Sequence, residues 1–312
     1  MILTVTLNAS VDKLYVLDRL LPNEVMRVRE VNNTAGGKGL NVSRVAALAG
    51  ESVTAMGFVG GYNGMLFESL IREDGIEKQF THVRAETRCC VNARDMEAGR
   101  STEFLEPGNP VAPEEVQQFL VDFKAQLPKA DVVTISGSMP KGVPEDFYGV
   151  LVQAARRQKI PVILDSSGSA LKNALSAGPS MIKPNADEIC QLLSVDINSR
   201  KDLIAAAKQL HQNGIAAVAV SLGKDGVLVV CGEGVYHGIT PDIPVVNTVG
   251  CGDSMVAGFA VSMARREPMA QAIRYAVAVS TANALTKETG FFHREDLEKL
   301  LGQIQAEQLE SF

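Results

Sequence analysis

The chain has no excess of basic charge: 30 lysines and arginines stand against 36 aspartates and glutamates, for a formal net charge of −6. General nucleic-acid or membrane-surface binding needs the opposite balance, so neither partner is expected. A local basic pocket for a small phosphorylated molecule stays open. Long apolar runs are also missing, and none approaches the ~20 residues that span a bilayer. The opening residues, Met1-Ile2-Leu3-Thr4-Val5-Thr6-Leu7-Asn8, carry no basic leader, so no secretory signal is expected. Cysteines number five (Cys89, Cys90, Cys190, Cys231, Cys251), an odd count without paired spacing. That argues against a disulfide framework and for a reduced, cytoplasmic setting. The four histidines (His82, His211, His237, His293) are scattered without zinc-ligand spacing. Two familiar phosphate-loop signatures are lacking. There is no G-x-x-x-x-G-K-[ST], and Gly250-Cys251-Gly252 has no third glycine to complete G-x-G-x-x-G. The second absence counts against a dinucleotide-dependent oxidoreductase.

What is present is an ordinary globular composition, 46% hydrophobic and 21% charged, over 312 residues. That length holds one large α/β domain or two smaller ones. Ile2–Leu7 reads as a buried opening strand, Val53–Val59 as another, with helices over Leu40–Ala49 and Met65–Asp74. From there strands (Val132–Ile135, Val162–Leu164, Met181–Lys183, Ala217–Ser221) alternate with helices (Pro113–Gln126, Pro144–Gln158, Asp187–Leu193, Arg200–Asn213). Such alternation predicts βαβ units and a mostly parallel sheet covered on both faces. Val227–Val230 and Gly234–Gly238 read as an antiparallel edge hairpin, and helices over Cys251–Arg265, Met269–Lys287 and Arg294–Ala306 close the chain. Two amphipathic strand pairs, about 12–31 and 84–104, do not fit the alternation. They read as a small β-sheet lid whose apolar face could pair with another copy's lid, or as an edge extension of the main sheet. With no repeat or long linker, residues 1–312 are expected to form a single domain.

The most informative stretch runs from Asn247 through Gly250-Cys251-Gly252-Asp253 to Phe259. Glycines allow close backbone approach, and a helix N-terminus attracts anions. A carboxylate at that spot is awkward for an anion site unless it removes a proton from a hydroxyl; otherwise Asp253 is a first-turn acid that stabilises its helix. A second glycine motif, Ala35-Gly36-Gly37-Lys38-Gly39-Leu40-Asn41-Val42-Ser43-Arg44, lies between strand and helix. Gly36 and Gly37 would let backbone approach a polyol, Lys38 offers charge, and Asn41 both donates and accepts. Asp12, after the first strand, suits vicinal hydroxyls or a cap. Arg27, Lys38 and Arg88 could converge on a substrate phosphate. Asn185 and Glu188 form a capping-box pattern, or place Glu188 near Mg²⁺ and nucleotide phosphates. Ser221-Leu222-Gly223-Lys224-Asp225-Gly226 ends a strand at the same face.

Taken together, the two glycine motifs with Asn185-x-x-Glu188 and Ser221-Leu222-Gly223 between them resemble the ribokinase-like sugar kinases, phosphofructokinase B branch, over essentially the whole chain. Thr6–Asp12, Glu86-Thr87-Arg88 and Thr134–Ser138 are similar to the 1-phosphofructokinase and tagatose-6-phosphate kinase subgroup. The resemblance implies a three-layer α/β/α fold with a small lid and ATP-dependent phosphorylation of a ketohexose phosphate. Fructose 1-phosphate is the expected acceptor and tagatose 6-phosphate the alternative. A non-catalytic sugar-phosphate sensor is the alternative of another class. It also implies Asp253 as general base with an anion hole at Gly250, Cys251 and Gly252. Asp12, Gly36, Gly37, Lys38 and Asn41 are implied on the sugar, and Arg27, Arg88 and Ser136 on its phosphate. Lys183, Asn185, Glu188, Ser221, Gly223, Gly226 and Asn283 are implied on the nucleotide side, with Glu188 acting indirectly on Mg²⁺. Cys251, where the family often has alanine or serine, and Ala9, where proline is common, depart from the pattern. A homodimer joined through the lid is expected.

Overall fold

The computed structural model describes residues 1–72 and 75–312. Its strands are β1 (Ile2–Thr6), β2 (Ser10–Leu17), β3 (Glu30–Gly36), β4 (Val53–Val59), β5 (Ile76–Lys78), β6 (Thr81–His82), β7 (Arg88–Asp95), β8 (Arg100–Leu105), β9 (Val132–Ser136), β10 (Val162–Asp165), β11 (Met181–Ile182), β12 (Ala217–Ser221), β13 (Val227–Cys231), β14 (Gly234–Ile239) and β15 (Gln305–Ser311). Its helices are α1 (Lys38–Leu48), α2 (Gly61–Leu70), α3 (Pro113–Gln126), α4 (Phe147–Arg157), α5 (Gly168–Ala174), α6 (Ala186–Leu193), α7 (Arg200–Gln212), α8 (Cys251–Ala264), α9 (Met269–Ala284) and α10 (Arg294–Leu301).

The large sheet follows the order β15-β14-β13-β12-β11-β10-β9-β1-β4-β5, with β6 also beside β4. From β12 to β5 neighbouring strands run parallel, and β13, β14 and β15 are antiparallel additions. Parallel strands buried on both faces carry apolar side chains in both directions. In β12, Ala217 and Ala219 face a core that holds Val256 and Phe259 of α8 and Ile273 and Val277 of α9. Val218 and Val220 face the opposite core, with Phe119 of α3, Leu151 of α4 and Leu210 of α7. The result is the expected three-layer α/β/α arrangement. β1 lies between β4 and β9, so the chain winds outward from it in both directions, and ligands of such sheets bind beyond the carboxyl ends at that point.

A second sheet, β3-β2-β7-β8, rises from this end. Its root is the row Gly36–Ser10–Arg88, where β2 pairs antiparallel with β3 and parallel with β7. The two predicted strand pairs therefore join into one small sheet. The apolar spacing at Val25 and Val28 had read as strand, yet 18–29 is irregular and Val25 is 98% exposed. With no strand beside it, that alternation has nothing to bury against.

Further boundaries differ. The last helix stops at Leu301, and β15 follows. β15 is largely polar, and its pairing with β14 moves the predicted edge hairpin to an interior position. The helix expected over Met65–Asp74 is observed at Gly61–Leu70, and Asp74 lies outside the described residues. The short β5, β6 and α5 have no counterpart in the sequence reading. No helix of the described residues is long and apolar enough to cross a membrane.

Candidate active site

The first turns of α1 and α8 meet beside the carboxyl end of β10. Helix α8 begins after Gly250, whose φ of 83° is left-handed and suits glycine. The Cys251 N–H is donated to the Thr248 carbonyl at 3.3 Å and that of Ser254 to Gly250 at 2.8 Å. The donors left to an anion in this turn are therefore the N–H groups of Gly252 and Asp253. Burial raises the Cys251 thiol above its usual range, so that side chain is not an activated nucleophile.

Asp253 is buried in the first turn of α8. Asn41, on the first turns of α1, donates its Nδ2 to Asp253 Oδ2 at 2.8 Å. Burial pushes the Asp253 carboxyl up to about 6 and the charge of Asp165 adds to the rise, while the Asn41 bond, Lys38 and Lys183 oppose it. The group is thus an ionised carboxylate at neutral pH with unusual basicity.

Asp165, at the carboxyl end of β10, is the residue that sequence reasoning missed. It is 2% exposed and lies between Lys38 Nζ at 3.7 Å and Lys183 Nζ at 3.6 Å. Asp165 is the main cause that raises the Lys38 ammonium above its usual value. A Cβ built at Gly252 would lie 3.5 Å from Lys183 Nζ, so this cation borders the anion-binding turn. A lone aspartate after an apolar strand reads as a turn residue. The available signal was its place at a parallel-strand end, where it pairs in register with Ser136.

Asp165 Oδ2 and Ser136 Oγ are both buried without a hydrogen-bond partner, and Asp165 Oδ2 faces the Lys38 ammonium at 3.7 Å. Among the described residues no three His, Cys, Asp or Glu side chains gather to hold a metal. Mg²⁺ commonly takes one or two carboxylates plus phosphate oxygens and water. Asp165 and Glu188 fit that requirement. Glu188 spends one oxygen on the Asn185 N–H at 2.9 Å within a complete capping box, and its charge reaches Lys38.

At the root of the second sheet, Ser10 donates to Asp12 Oδ1 at 2.6 Å. Burial raises the Asp12 carboxyl, and Ser10, Arg88 and Arg44 pull it back. A Cβ at Gly36 would overlap the Asp12 carboxylate, so any larger residue there would displace that side chain. Arg88 sits at the root of the second sheet and donates to the Asn8 carbonyl (3.0 and 3.2 Å) and to that of Glu106 (2.9 Å). Arg27 stands on the exposed segment 18–29, outside the network around Asp253.

Asn185 and Ser221, expected at the nucleotide, form a parallel bridge. Gly223 and Gly226 belong to a turn that closes on itself, with Leu222 N donating to Gly226 O at 2.8 Å. Asn283, expected at an adenine, is instead wholly buried and committed to the protein. Its Oδ1 accepts from Gly290 N, Ser254 Oγ and Phe291 N at 2.9, 3.1 and 3.2 Å, and its Nδ2 donates to Val249 O at 3.1 Å. It brackets the start of α8 to the loop 286–291.

This arrangement fits phosphoryl transfer to a hydroxyl: a basic carboxylate with flanking cations and first-turn N–H donors. Comparison with known proteins agrees. The model of the pfkB family carbohydrate kinases matches residues 5–295. Tagatose-6-phosphate kinase of Staphylococcus epidermidis is 39% identical over 308 residues, 98% of this chain and 99% of the relative. The crystal structure of phosphofructokinase-2 from Escherichia coli in complex with potassium superposes with a TM-score of 0.90 at 30% identity, over 97% of this chain and 98% of that one. A protein described as a possible 1-phosphofructokinase from Thermotoga maritima does so with a TM-score of 0.85 at 27% identity, over 99% and 100% of the two chains. The chain belongs to the pfkB family of carbohydrate kinases.

Proposed function

We propose that the chain transfers the γ-phosphoryl group of ATP to a primary hydroxyl of a ketohexose monophosphate, with Asp253 as general base. The observation that carries this reading is the buried Asp253 at the start of α8, held by Asn41 and flanked by Lys38 and Lys183. Tagatose 6-phosphate as acceptor is supported by the full-length relative at 39% identity. Fructose 1-phosphate is the second reading, supported by the sequence motifs and the 1-phosphofructokinase neighbour.

In this reading the acceptor hydroxyl hydrogen-bonds Asp253. The carboxylate takes its proton as the oxygen attacks the γ-phosphorus in line and ADP leaves. A base titrating near 6 is well matched to neutral pH, and such help is worth ~10²–10⁴-fold. Lys38, Lys183 and the first-turn N–H groups oppose the charge on the transferring group. Mg²⁺ would neutralise nucleotide phosphate charge when bound, with Asp165 and Glu188 as the residues to hold it. Asp12 and Asn41 orient the sugar, and Arg88 receives its phosphate. With Asn283 committed, the exposed Val245, Val246 and Val249 supply an apolar ledge for the base of the nucleotide.

The whole chain acts as one domain, with the second sheet as a lid that excludes water on closing. Its exposed Val31, Phe104 and Leu105 support pairing with the lid of a second copy. A cytoplasmic setting agrees with five free cysteines.

ADP release measured over tagatose 6-phosphate, fructose 1-phosphate and fructose 6-phosphate tests the proposal. Turnover with the first identifies the preferred reading, and turnover with the second alone selects the other. Binding of a sugar phosphate without ADP release would make the protein a sensor and overturn the kinase reading.

A further inference from the structure

Arg44 closes the first glycine motif yet has no place in the reading above. It leaves α1 one turn beyond Asn41 and reaches three separate segments. Its Nη1 donates to Asn41 Oδ1 at 3.2 Å and to the Thr289 carbonyl at 3.3 Å, and its Nη2 donates to the Ala35 carbonyl at 3.0 Å. Ala35 lies near the end of β3, where the second sheet joins the body. Thr289 lies in the loop that Asn283 fastens to the start of α8, through Gly290.

The chemistry of the amide gives this arrangement a consequence. An asparagine side chain has one accepting end and one donating end. The guanidinium is a pure donor and claims the Oδ1 end, so the Nδ2 end is the one turned to Asp253. Rotating the amide by half a turn would set its oxygen against the carboxylate and its NH₂ against the guanidinium, which is repulsive at both ends.

We infer that Arg44 is a positioning residue for phosphoryl transfer: it locks the Asn41 amide in the orientation that donates to Asp253, and ties that orientation to the root of the second sheet through Ala35. The inference rests on Asp253 being the base. The other charges facing Asp253 are Asp165, Lys38 and Lys183. Arg44 itself faces the carboxylate of Asp12. The Asn41 bond favours ionised Asp253, so a loosened amide leaves the carboxyl harder to ionise.

The test compares R44K and R44A with the parent enzyme in two readouts. One is the pH profile of kcat. The other is the titration of the Asp253 carboxyl by carbon NMR in the ligand-free protein. Lysine keeps the charge but cannot reproduce the planar fork. Both variants are expected to lose about 10- to 100-fold in kcat, the value of one charged hydrogen bond. The acid limb and the carboxyl titration are expected to move together to higher pH, and added guanidinium to restore part of the R44A activity. Should R44A fail to fold, R44K carries the same comparison.

A folded R44K with unchanged kcat and titration overturns the proposal. So does a loss of kcat with the Asp253 titration unmoved, because a purely structural role would give that result. The titration needs no turnover, so it decides the hold of Arg44 on Asp253 even if D253N shows that another group is the base.

Discussion

The amide of Asn41 donates to the carboxylate of Asp253 across 2.8 Å, joining residues 212 positions apart in the chain. This bond welds the first glycine motif to the second.

Replacing Asp253 by asparagine keeps the shape and removes the proton acceptor. D253N should bind sugar phosphate and ATP with near-parental affinity and lose at least ~10²-fold in kcat. In the parent, kcat should fall on the acid side of about pH 6, as Asp253 protonates. Steady-state kinetics over pH 5–9 checks both; near-parental turnover in D253N removes Asp253 from the base role.

The same burial acts on stability. The Asp253 carboxyl is raised from 3.8 to about 6 by folding, so well below 3.8 it is protonated in both states and carries no penalty there. Between those values the unfolded chain ionises first, and stability falls as pH rises. The loss is complete above the folded value, at about 3 kcal/mol. D253N should lack this fall and be the more stable protein at pH 7. Urea midpoints at pH 4, 5, 6 and 7 test it, and parallel curves for the two proteins contradict it.

Asp165 sits between two lysines and repels Asp253. In D165N that repulsion is gone and both ammonium groups lose their shared anion. The Asp253 limb of the kcat profile should therefore move to lower pH. The Mg²⁺ concentration for half-maximal rate should rise by about 10-fold or more if Asp165 holds the metal as proposed. An unchanged Mg²⁺ dependence would take Asp165 off the metal.

At Gly36 a methyl group would collide with the Asp12 carboxylate. G36A should displace Asp12, raise KM for the sugar phosphate by about 10-fold or more, and leave KM for ATP within a few-fold. Equal changes in both constants would separate Asp12 from sugar binding.

Much of the fold was legible. Val53–Val59, Ala217–Ser221 and Pro113–Gln126 fall where their periodicity put them, because each has a distinct apolar pattern and a strong local boundary. The failures share one cause. Val25 and Val28 alternate with polar residues but face solvent, whereas the polar Gln305–Ser311 becomes a strand because β14 offers it an open backbone edge. Pattern records which side chains prefer burial, and it does not record which backbone lies alongside. At the site, Lys38, Asn41, Lys183 and Asp253 were named from the sequence, whereas Asp165 and Arg44 were given no role. Each has meaning only through partners distant in the chain.

The order of residues by itself determined the layered α/β class, the two glycine turns and the carboxylate at the head of α8. These follow from local propensity and from the side-chain periods of strand and helix, which any contiguous segment carries. Tertiary structure alone decided that Asp165 stands between Lys38 and Lys183, that Asn283 serves the protein instead of facing outward, and that Asn41 turns its NH₂ to Asp253. The physical reason is that burial, charge and hydrogen-bond direction are properties of what surrounds a group, and here the surroundings come from strand ends brought together only when the sheet winds outward from β1.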